Sequence, residues 1–184
     1  MRLHPGCSEA LHTAITSGIP THVCSVGWSS TLIAATLEQH VRGEQPAVHA
    51  NEVQVDDDGT GTGQIARYQL LLVISNTAIT DYLHRRVEGG PDKAAVLERL
   101  RTETPAGPLV YIGDSPTDIP PLLAADVGVV FGEQPTLRHV LSLAGVCVRP
   151  LASIAEGLPT HASENSPILY CTNSWHEIVT VLRL

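Results

Sequence analysis

Two aspartates near the middle of the chain have a spacing that suits a cation site. The apolar run at residues 109–112 predicts a short buried strand, and the Gly-Asp-Ser-Pro cluster after it predicts a tight turn. Asp114 then lies at the carboxyl end of the strand, and Asp118 lies about one turn into the following helix. Carboxylates at such strand ends can hold a hard cation such as Mg²⁺. The alternative is that Asp114 and Ser115 only cap a helix and stabilise the turn.

A single lysine stands out among the basic residues. The chain contains ten arginines, and Lys93 is its one lysine. Lys93 falls near the predicted start of a helix, where the helix dipole disfavours a cation. A compact ammonium suits a phosphate or a crowded carboxylate site better than a planar guanidinium does. The alternative is a surface lysine without a role.

Composition and charge limit the classes of protein that fit. A net charge of −8 argues against nucleic acid or an anionic membrane as the main partner. The four cysteines show no C-x-x-C spacing, so they give neither a zinc signature nor a small disulfide framework, and reduced thiols are expected. We find no signal or transit peptide and no apolar run of transmembrane length. A soluble, cytoplasmic protein is therefore expected.

Strands and helices alternate along most of the 184 residues. The sequence predicts helices at 8–17, 32–40, 93–101 and 135–143, one that continues from Asp118 to Ala125, and a closing helix begun by residues 172–174. It predicts strands at 22–26, 47–55, 109–112, 127–131, 145–148 and 168–170. This alternation is typical of an α/β fold, a Rossmann-like doubly wound parallel sheet, and the length predicts one domain over 1–184.

Two segments between the second and third predicted helices do not follow this alternation. Residues 56–59 form an acidic turn that lacks the spacing of a calcium loop, so a solvated hairpin turn is favoured. Within 66–83, the apolar residues 70–74 predict a buried strand with no evident layer to join.

Several of these motifs together resemble a known phosphatase superfamily. Ser25 at a strand end, Lys93 at a helix start and residues 113–118 resemble the second, third and fourth motifs of the haloacid dehalogenase (HAD) superfamily. Six segments are similar to the C-terminal phosphatase module of plant bifunctional TenA-HAD proteins, which dephosphorylate thiamine monophosphate: 23–28, 49–52, 62–65, 110–118, 123–129 and 172–178. The resemblance implies a HAD-like core, this phosphomonoester as substrate and an upstream TenA-like domain as a possible partner.

The resemblance also implies roles for residues around the substrate. Ser25 would donate a hydrogen bond to a phosphoryl oxygen, with Gly27 beside it, and Asn51 would line the pocket near the same point. From the residues alone, Ser25 could equally be a strand-end turn residue and Asn51 a satisfied polar group.

The resemblance assigns a second group of residues to charge neutralisation and to metal binding. Lys93 would neutralise charge shared by the nucleophile and the phosphate. Mg²⁺ would be held by Asp114, with Asp118 acting directly or through water.

The chain departs from the family at two places. The nucleophile motif, a strand followed by D-x-D-x-T, and the mobile cap should precede Ser25, but no Asp occurs before Asp56. We therefore expect a HAD-like core truncated at its N-terminus, with little or no turnover alone. Residues 66–83 have no counterpart, which indicates an insertion or a translated intron.

Two functional classes remain. One is the core of a magnesium-dependent phosphomonoesterase, and the other is a non-catalytic HAD-like module for binding or assembly. A receiver domain is a remoter option, because its acidic pair on the first strand is absent.

Overall fold

The computed structural model describes residues 2–65, 70–75, 78–83, 86–104, 107–156 and 167–182. These residues include six α-helices: α1 (Cys7–Thr16), α2 (Ser30–His40), α3 (Gly90–Glu103), α4 (Ile119–Ala124), α5 (Pro135–Leu143) and α6 (Trp175–Val181). They include ten strands: β1 (His22–Cys24), β2 (Ala47–His49), β3 (Val53–Val55), β4 (Gly61–Ile65), β5 (Leu70–Ser75), β6 (Ala78–Leu83), β7 (Val110–Gly113), β8 (Val127–Phe131), β9 (Cys147–Pro150) and β10 (Ile168–Thr172). Short 3-10 helices cover Pro116–Asp118 and Leu151–Glu156.

A parallel sheet of four strands forms the centre of the fold, in the order β7-β8-β10-β9. β1 and β2 form a second parallel pair, in which Val23 lies opposite Val48. Parallel strands joined by helices confirm the predicted α/β, Rossmann-like class.

Apolar side chains pack on both faces of the four-stranded sheet. Because successive residues of a strand point to opposite faces, Val129 and Val130 of β8 belong to different cores. One core includes side chains of α3, α4 and α5, and the other includes Ile178 of α6 and residues of the second 3-10 helix. Helix α1 packs against α6. Helices therefore cover both faces, as a doubly wound sheet requires.

The predicted strand at 47–55 is wrong as a single element, because β2 and β3 are separate. Asn51 interrupts it: its backbone N–H donates to Gly27 at 3.2 Å and its carbonyl accepts from Ser30 at 2.8 Å. Glu52 turns its carboxylate to the start of α2, where Ser30 Oγ donates to it at 2.7 Å. Helix α3 also begins earlier than predicted, at Gly90.

Two antiparallel hairpins lie between β2 and α3. The first joins β3 to β4 through the acidic turn, where the Thr60 N–H donates to the carboxylates of Asp56 and Asp58 at 2.8 and 2.9 Å. This confirms the predicted hairpin. The second pairs β5 with β6, so the predicted strand at 70–74 is confirmed, and within the described residues it pairs with β6 alone. Residues 66–69 and 76–77 lie outside the described residues, and whether 66–83 is an insertion stays a prediction.

None of the helices in the described part of the chain is long and apolar enough to cross a membrane. The cytoplasmic location predicted from the sequence remains a prediction.

Candidate functional site

A buried ion pair lies just past the carboxyl end of β7. Lys93 Nζ lies 2.6 Å from Asp118 Oδ1, and the two side chains are only 6% and 5% exposed. Lys93 belongs to the first turn of α3, and Asp118 ends the 3-10 helix after β7. Gly90 allows the start of α3 to lie close to α4, because a Cβ at this position would lie 2.7 Å from the ring of Pro120. The structure thus brings together the lysine and one of the two aspartates singled out in the sequence.

Asp118 organises the turn after β7 through both of its carboxylate oxygens. Oδ1 accepts from Lys93 Nζ and, at 2.7 Å, from the hydroxyl of Tyr111. Oδ2 accepts from the backbone N–H groups of Asp114 at 3.1 Å and Ser115 at 2.9 Å, and from Ser115 Oγ at 2.7 Å. Gly113 leaves room for this carboxylate, because a Cβ there would lie 2.5 Å from Asp118 Cβ.

The electrostatics of Asp118 follow from these contacts. Burial raises the pKa of Asp118, but hydrogen bonds from Lys93, Tyr111 and Ser115 outweigh it and hold the pKa below its usual value. Burial, followed by the hydrogen bond to this carboxylate, raises the pKa of Tyr111. Asp118 is therefore ionised, and Tyr111 is a hydrogen-bond donor near neutral pH.

The two aspartates differ in what they could offer a cation. Asp114 is exposed, and its backbone N–H donates to Asp118 Oδ2. Its carboxylate accepts no hydrogen bond from the described residues. The oxygens of Asp118 already accept five hydrogen bonds, which favours a role through water over direct ligation. Within the described ranges, no group of three or more His, Cys, Asp or Glu side chains could hold a metal ion. Asp114 fits a Mg²⁺ ligand by its chemistry, but these residues do not complete a metal site.

Ser25 follows β1 and has a hydroxyl proton available for a ligand. Its backbone N–H donates to His49 at 2.9 Å, and its Oγ accepts from the N–H of Gly27 at 3.0 Å. A Cβ on Gly27 would lie 3.0 Å from Ser25 Oγ, so glycine at this position leaves the hydroxyl its place. The hydroxyl proton has no described acceptor, which suits a donor to an incoming oxygen.

Cys24 is the last residue of β1 and directly precedes Ser25. Burial, the largest cause, raises the pKa of Cys24 to about 11, and the charges of Lys93 and Asp118 act on it in opposite directions. Asn51 ties the loop after β1 to the segment before α3, so Ser25 and Lys93 lie toward the same edge of the fold. Ligands of open α/β sheets bind at this edge.

Asn51 ties the loop after β1 to the segment before α3. Its Nδ2 donates to the carbonyls of Val26 at 3.2 Å and Val87 at 2.9 Å, and its Oδ1 accepts from the Val87 N–H at 2.9 Å. The side chain is buried, at 5% exposure, and three of its hydrogen-bonding positions are used. This geometry favours a satisfied polar group that holds the loop after β1 against the segment before α3. Contact of Asn51 with a ligand stays a prediction.

Sequence reasoning missed Tyr111 and the side chain of Ser115 as partners of Asp118. Tyr111 has a recognisable signal, because a tyrosine within a buried strand needs a partner for its hydroxyl. A carboxylate a few residues further on is the obvious acceptor. Ser115 was considered only as a helix cap or turn residue, and its Oγ instead donates to Asp118.

Comparison with known proteins places the chain beside two curated relatives. It is 31% identical over 172 residues to the bifunctional TH2 protein, mitochondrial, of Arabidopsis thaliana, covering 85% of this chain and 25% of that protein. It is 29% identical over 161 residues to a CTO1 family protein of Schizosaccharomyces pombe, covering 84% of this chain and 53% of that protein. No family model matches the chain.

The fold and these similarities together show which class of protein the chain is, although they do not show its activity. The chain is an α/β protein with a parallel sheet and polar residues gathered at its carboxyl edge. Over most of its length it is related to the plant bifunctional protein. It spans about a quarter of the plant relative and about half of the yeast relative.

Proposed function

We propose that the chain is the core of a magnesium-dependent phosphomonoester hydrolase of the HAD type. The observation that carries this proposal is the buried Lys93–Asp118 pair, 2.6 Å apart, at the edge where Ser25 also lies and Asp114 is exposed. The relationship to the plant bifunctional protein supports it. A buried ammonium, with a hydroxyl donor and an exposed carboxylate toward the same edge of the fold, suits a phosphate with its counter-cation.

Each residue has a defined task in this proposal. Ser25 donates its hydroxyl proton to a phosphoryl oxygen, and Lys93 adds positive charge to the same group. Asp118 holds Lys93 Nζ in place and, through the backbone N–H groups it accepts, fixes the turn that carries Asp114. Asp114 supplies one carboxylate oxygen to Mg²⁺. When bound, the cation would neutralise charge that develops on the phosphoryl oxygens.

Thiamine monophosphate is the proposed substrate. This choice rests on the resemblance to plant TenA-HAD phosphatases and on the similarity to a plant bifunctional protein. On this proposal the chain acts in thiamine metabolism, with a TenA-like domain as its partner. The plant relative is named mitochondrial, so an organelle is an alternative to the cytoplasm.

The first experiment measures phosphate release from thiamine monophosphate with Mg²⁺ by the 184-residue chain and by D114N. We expect no turnover by either, because a covalent nucleophile normally supplies most of the rate and no Asp precedes Asp56. Turnover that disappears in D114N would show that another residue serves as nucleophile.

A chimera gives the proposal a positive test. The segment of the plant protein that this chain matches would be replaced by this chain, and phosphate release compared with that of the unmodified plant protein. We expect Mg²⁺-dependent release in the chimera, and at least a hundredfold loss on Lys93→Met or Asp114→Asn. R138M in the chimera is the matched control for K93M, because Arg138 is an exposed cation of α5. A folded chimera without release would instead favour the non-catalytic binding or assembly module.

A further inference from the structure

Three side chains connect α3 to the β1-β2 pair. His22 of β1 and His49 of β2 have ring centroids 5.3 Å apart and planes inclined by 23°, and His22 Nδ1 lies 3.1 Å from His49 Nε2. Arg99 of α3 approaches the other nitrogen of the same ring, with its Nη2 3.2 Å from His49 Nδ1. His49 is only 7% exposed, and both of its ring nitrogens have a partner.

The positions of the protons in this cluster follow from Arg99. A guanidinium has no acceptor, so Arg99 donates and His49 Nδ1 accepts. A neutral imidazole carries one proton, which must then be on His49 Nε2, and this N–H donates to His22 Nδ1. The proton of neutral His22 is in turn on its Nε2. Both contacts therefore require that both histidines are uncharged.

An additional proton cannot be placed in the cluster without breaking a contact. Protonation of His22 puts an N–H at Nδ1 against the Nε2–H of His49, so that two donors face each other. If the proton of His49 moves from Nε2 to Nδ1, His49 can accept from charged His22, but two donors then face each other at Arg99. Proton uptake by either histidine therefore costs one of the two hydrogen bonds.

The groups that face His22 also disfavour its charged form on balance. From α3, Arg99 and Glu103 face it, and Arg99 Nε lies 3.6 Å from Glu103 Oε1. Burial, the largest cause, and then the charge of Arg99 lower the pKa of His22, while Glu103 acts in the opposite direction. From β2, His49 is neutral. Cys24 lies on the same face of β1, and its thiol stays neutral because burial raises its pKa to about 11.

We propose that His22, His49 and Arg99 form a pH-sensitive latch that holds α3 against the β1-β2 pair and opens in acid. The latch is closed while both histidines are neutral. The closed form binds fewer protons than the open form, so a fall in pH shifts the equilibrium toward the open form. A histidine released from these contacts titrates near pH 6.5, so the latch stays closed above about pH 7.5 and opens progressively below about pH 6.5.

The position of the latch determines which part of α3 it controls. Arg99 lies about 9 Å along the helix axis from Lys93, whose ion pair with Asp118 holds the first turn. The segment before α3 is held separately, through the hydrogen bonds between Asn51 and Val87. Opening of the latch therefore releases the middle and the end of α3 from the β1-β2 pair and leaves the start of the helix in place. The inference depends on these contacts and does not require the proposed phosphatase chemistry.

The first measurement determines the imidazole tautomers of the ¹⁵N-labelled 184-residue chain. Long-range ¹H–¹⁵N NMR spectra at pH 8 distinguish protonated from unprotonated ring nitrogens. We expect His22 and His49 both to carry their proton on Nε2. A proton on Nδ1 of His49 would overturn the proposal, because Arg99 could not then donate to this nitrogen. This measurement uses the natural chain, so it does not depend on how a variant folds.

The second measurement follows both rings from pH 8 to pH 5 in the natural chain, in Arg99→Met and in Arg138→Met. R99M removes the donor that fixes the tautomer of His49, whereas R138M removes an exposed cation of α5. We expect R99M to let His49 populate both tautomers and to let both rings take up protons at a higher pH, and R138M to change neither. A shift in titration without a change of tautomer would mean that Arg99 acts through its charge alone, and it would contradict the latch.

The third measurement detects the opening itself by amide hydrogen exchange, corrected for the intrinsic effect of pH on exchange. The Thr104 N–H donates to Leu100 at the end of α3, at 2.8 Å, and the Ala144 N–H makes the matched contact with Val140 at the end of α5, at 3.0 Å. Between pH 7.5 and pH 5.5 we expect the protection of Thr104 to fall about tenfold, as uptake of one proton predicts, and that of Ala144 to stay constant. Equal protection of Thr104 at the two pH values would overturn the proposal.

A variant without titratable groups in the latch completes the test. In the double variant His22→Gln and His49→Gln, the amide oxygen at position 49 can accept from Arg99 and its nitrogen can donate to position 22. We expect the loss of protection of Thr104 in acid to disappear in this variant. A loss as large as in the natural chain would contradict the assignment of the latch to the two histidines. None of these readouts needs Mg²⁺ or a phosphate ester, so their failure is distinct from failure of the proposed function.

Discussion

Lys93 Nζ and the Tyr111 hydroxyl converge on the same oxygen, Asp118 Oδ1, at 2.6 and 2.7 Å. One donor comes from α3 and the other from β7, so this oxygen joins a helix to the sheet beneath it. The other oxygen of Asp118 holds the turn that carries Asp114. Stability and the geometry of the candidate site therefore depend on one carboxylate.

Lys93→Met should strongly destabilise the fold. It leaves Asp118 buried without its counter-charge, which costs about 3–5 kcal/mol for a buried pair. The measurement is the free energy of unfolding in urea. R138M removes an exposed cation of α5 and should change it by less than about 0.5 kcal/mol. Equal effects of the two substitutions would contradict the buried pair.

Tyr111→Phe tests the second donor. It keeps the ring in the core but removes a hydrogen bond to a charged acceptor, at a cost of about 1.5–3 kcal/mol. Tyr170→Phe is the matched control, because Tyr170 is also buried but has no described hydroxyl partner. Urea unfolding of both variants should show the larger loss for Y111F, and the reverse order would refute the contact.

The ionised Asp118 should make stability depend on pH in acid. The folded pKa of Asp118 is lowered, because hydrogen bonds from Lys93, Tyr111 and Ser115 outweigh the effect of burial. The stabilisation is fully present above the unfolded pKa of about 4 and is lost as pH falls through the folded pKa. We expect the difference in unfolding free energy between the natural chain and D118N to stay constant above about pH 5 and to shrink as the pH falls below about 4. Parallel curves would contradict this linkage.

Glu52 should stabilise the start of α2 although it lies far along the chain. Its carboxylate accepts from Ser29 Oγ, Ser30 Oγ and both the N–H and Oγ1 of Thr31. Burial raises the pKa of Glu52, but these hydrogen bonds outweigh it and lower the pKa to about 2. Glu52→Gln should cost about 1 kcal/mol, measured by thermal or urea unfolding. Glu38→Gln, on the exposed side of the same helix, should cost much less. Equal losses of unfolding free energy in the two variants would contradict a stabilising role for Glu52 at the start of α2.

Local patterns were enough to predict much of the fold. The apolar runs that became β7, β8 and β10 and the helix from Pro135 to Leu143 follow from hydrophobic periodicity and from turn residues. The acidic turn before Thr60 was also predictable, because its carboxylates bind within the same turn.

Contacts between distant residues were not predictable in this way. The split of 47–55 into β2 and β3 depends on the backbone of Asn51, which binds Gly27 and Ser30 on the far side of α2 in the sequence. The pairing of Lys93 with Asp118 spans 25 residues. Their residue types suggested that Lys93 and Asp118 have a role, but hydrophobic periodicity does not show which carboxylate binds the lysine. The saturation of Asp118 by five donors likewise needs the folded turn.

The most direct test of the proposed site is an NMR titration of the ¹⁵N-labelled chain with thiamine monophosphate, with and without Mg²⁺. We expect saturable shifts at the amides of Ser25, Gly27, Asp114 and Ser115 that require the phosphate, since thiamine itself should leave them unchanged. The Mg²⁺-dependent part should be lost in Asp114→Asn. Shifts confined to other parts of the chain, or shifts that neither Mg²⁺ nor D114N alters, would contradict a magnesium and phosphate site at this edge of the sheet.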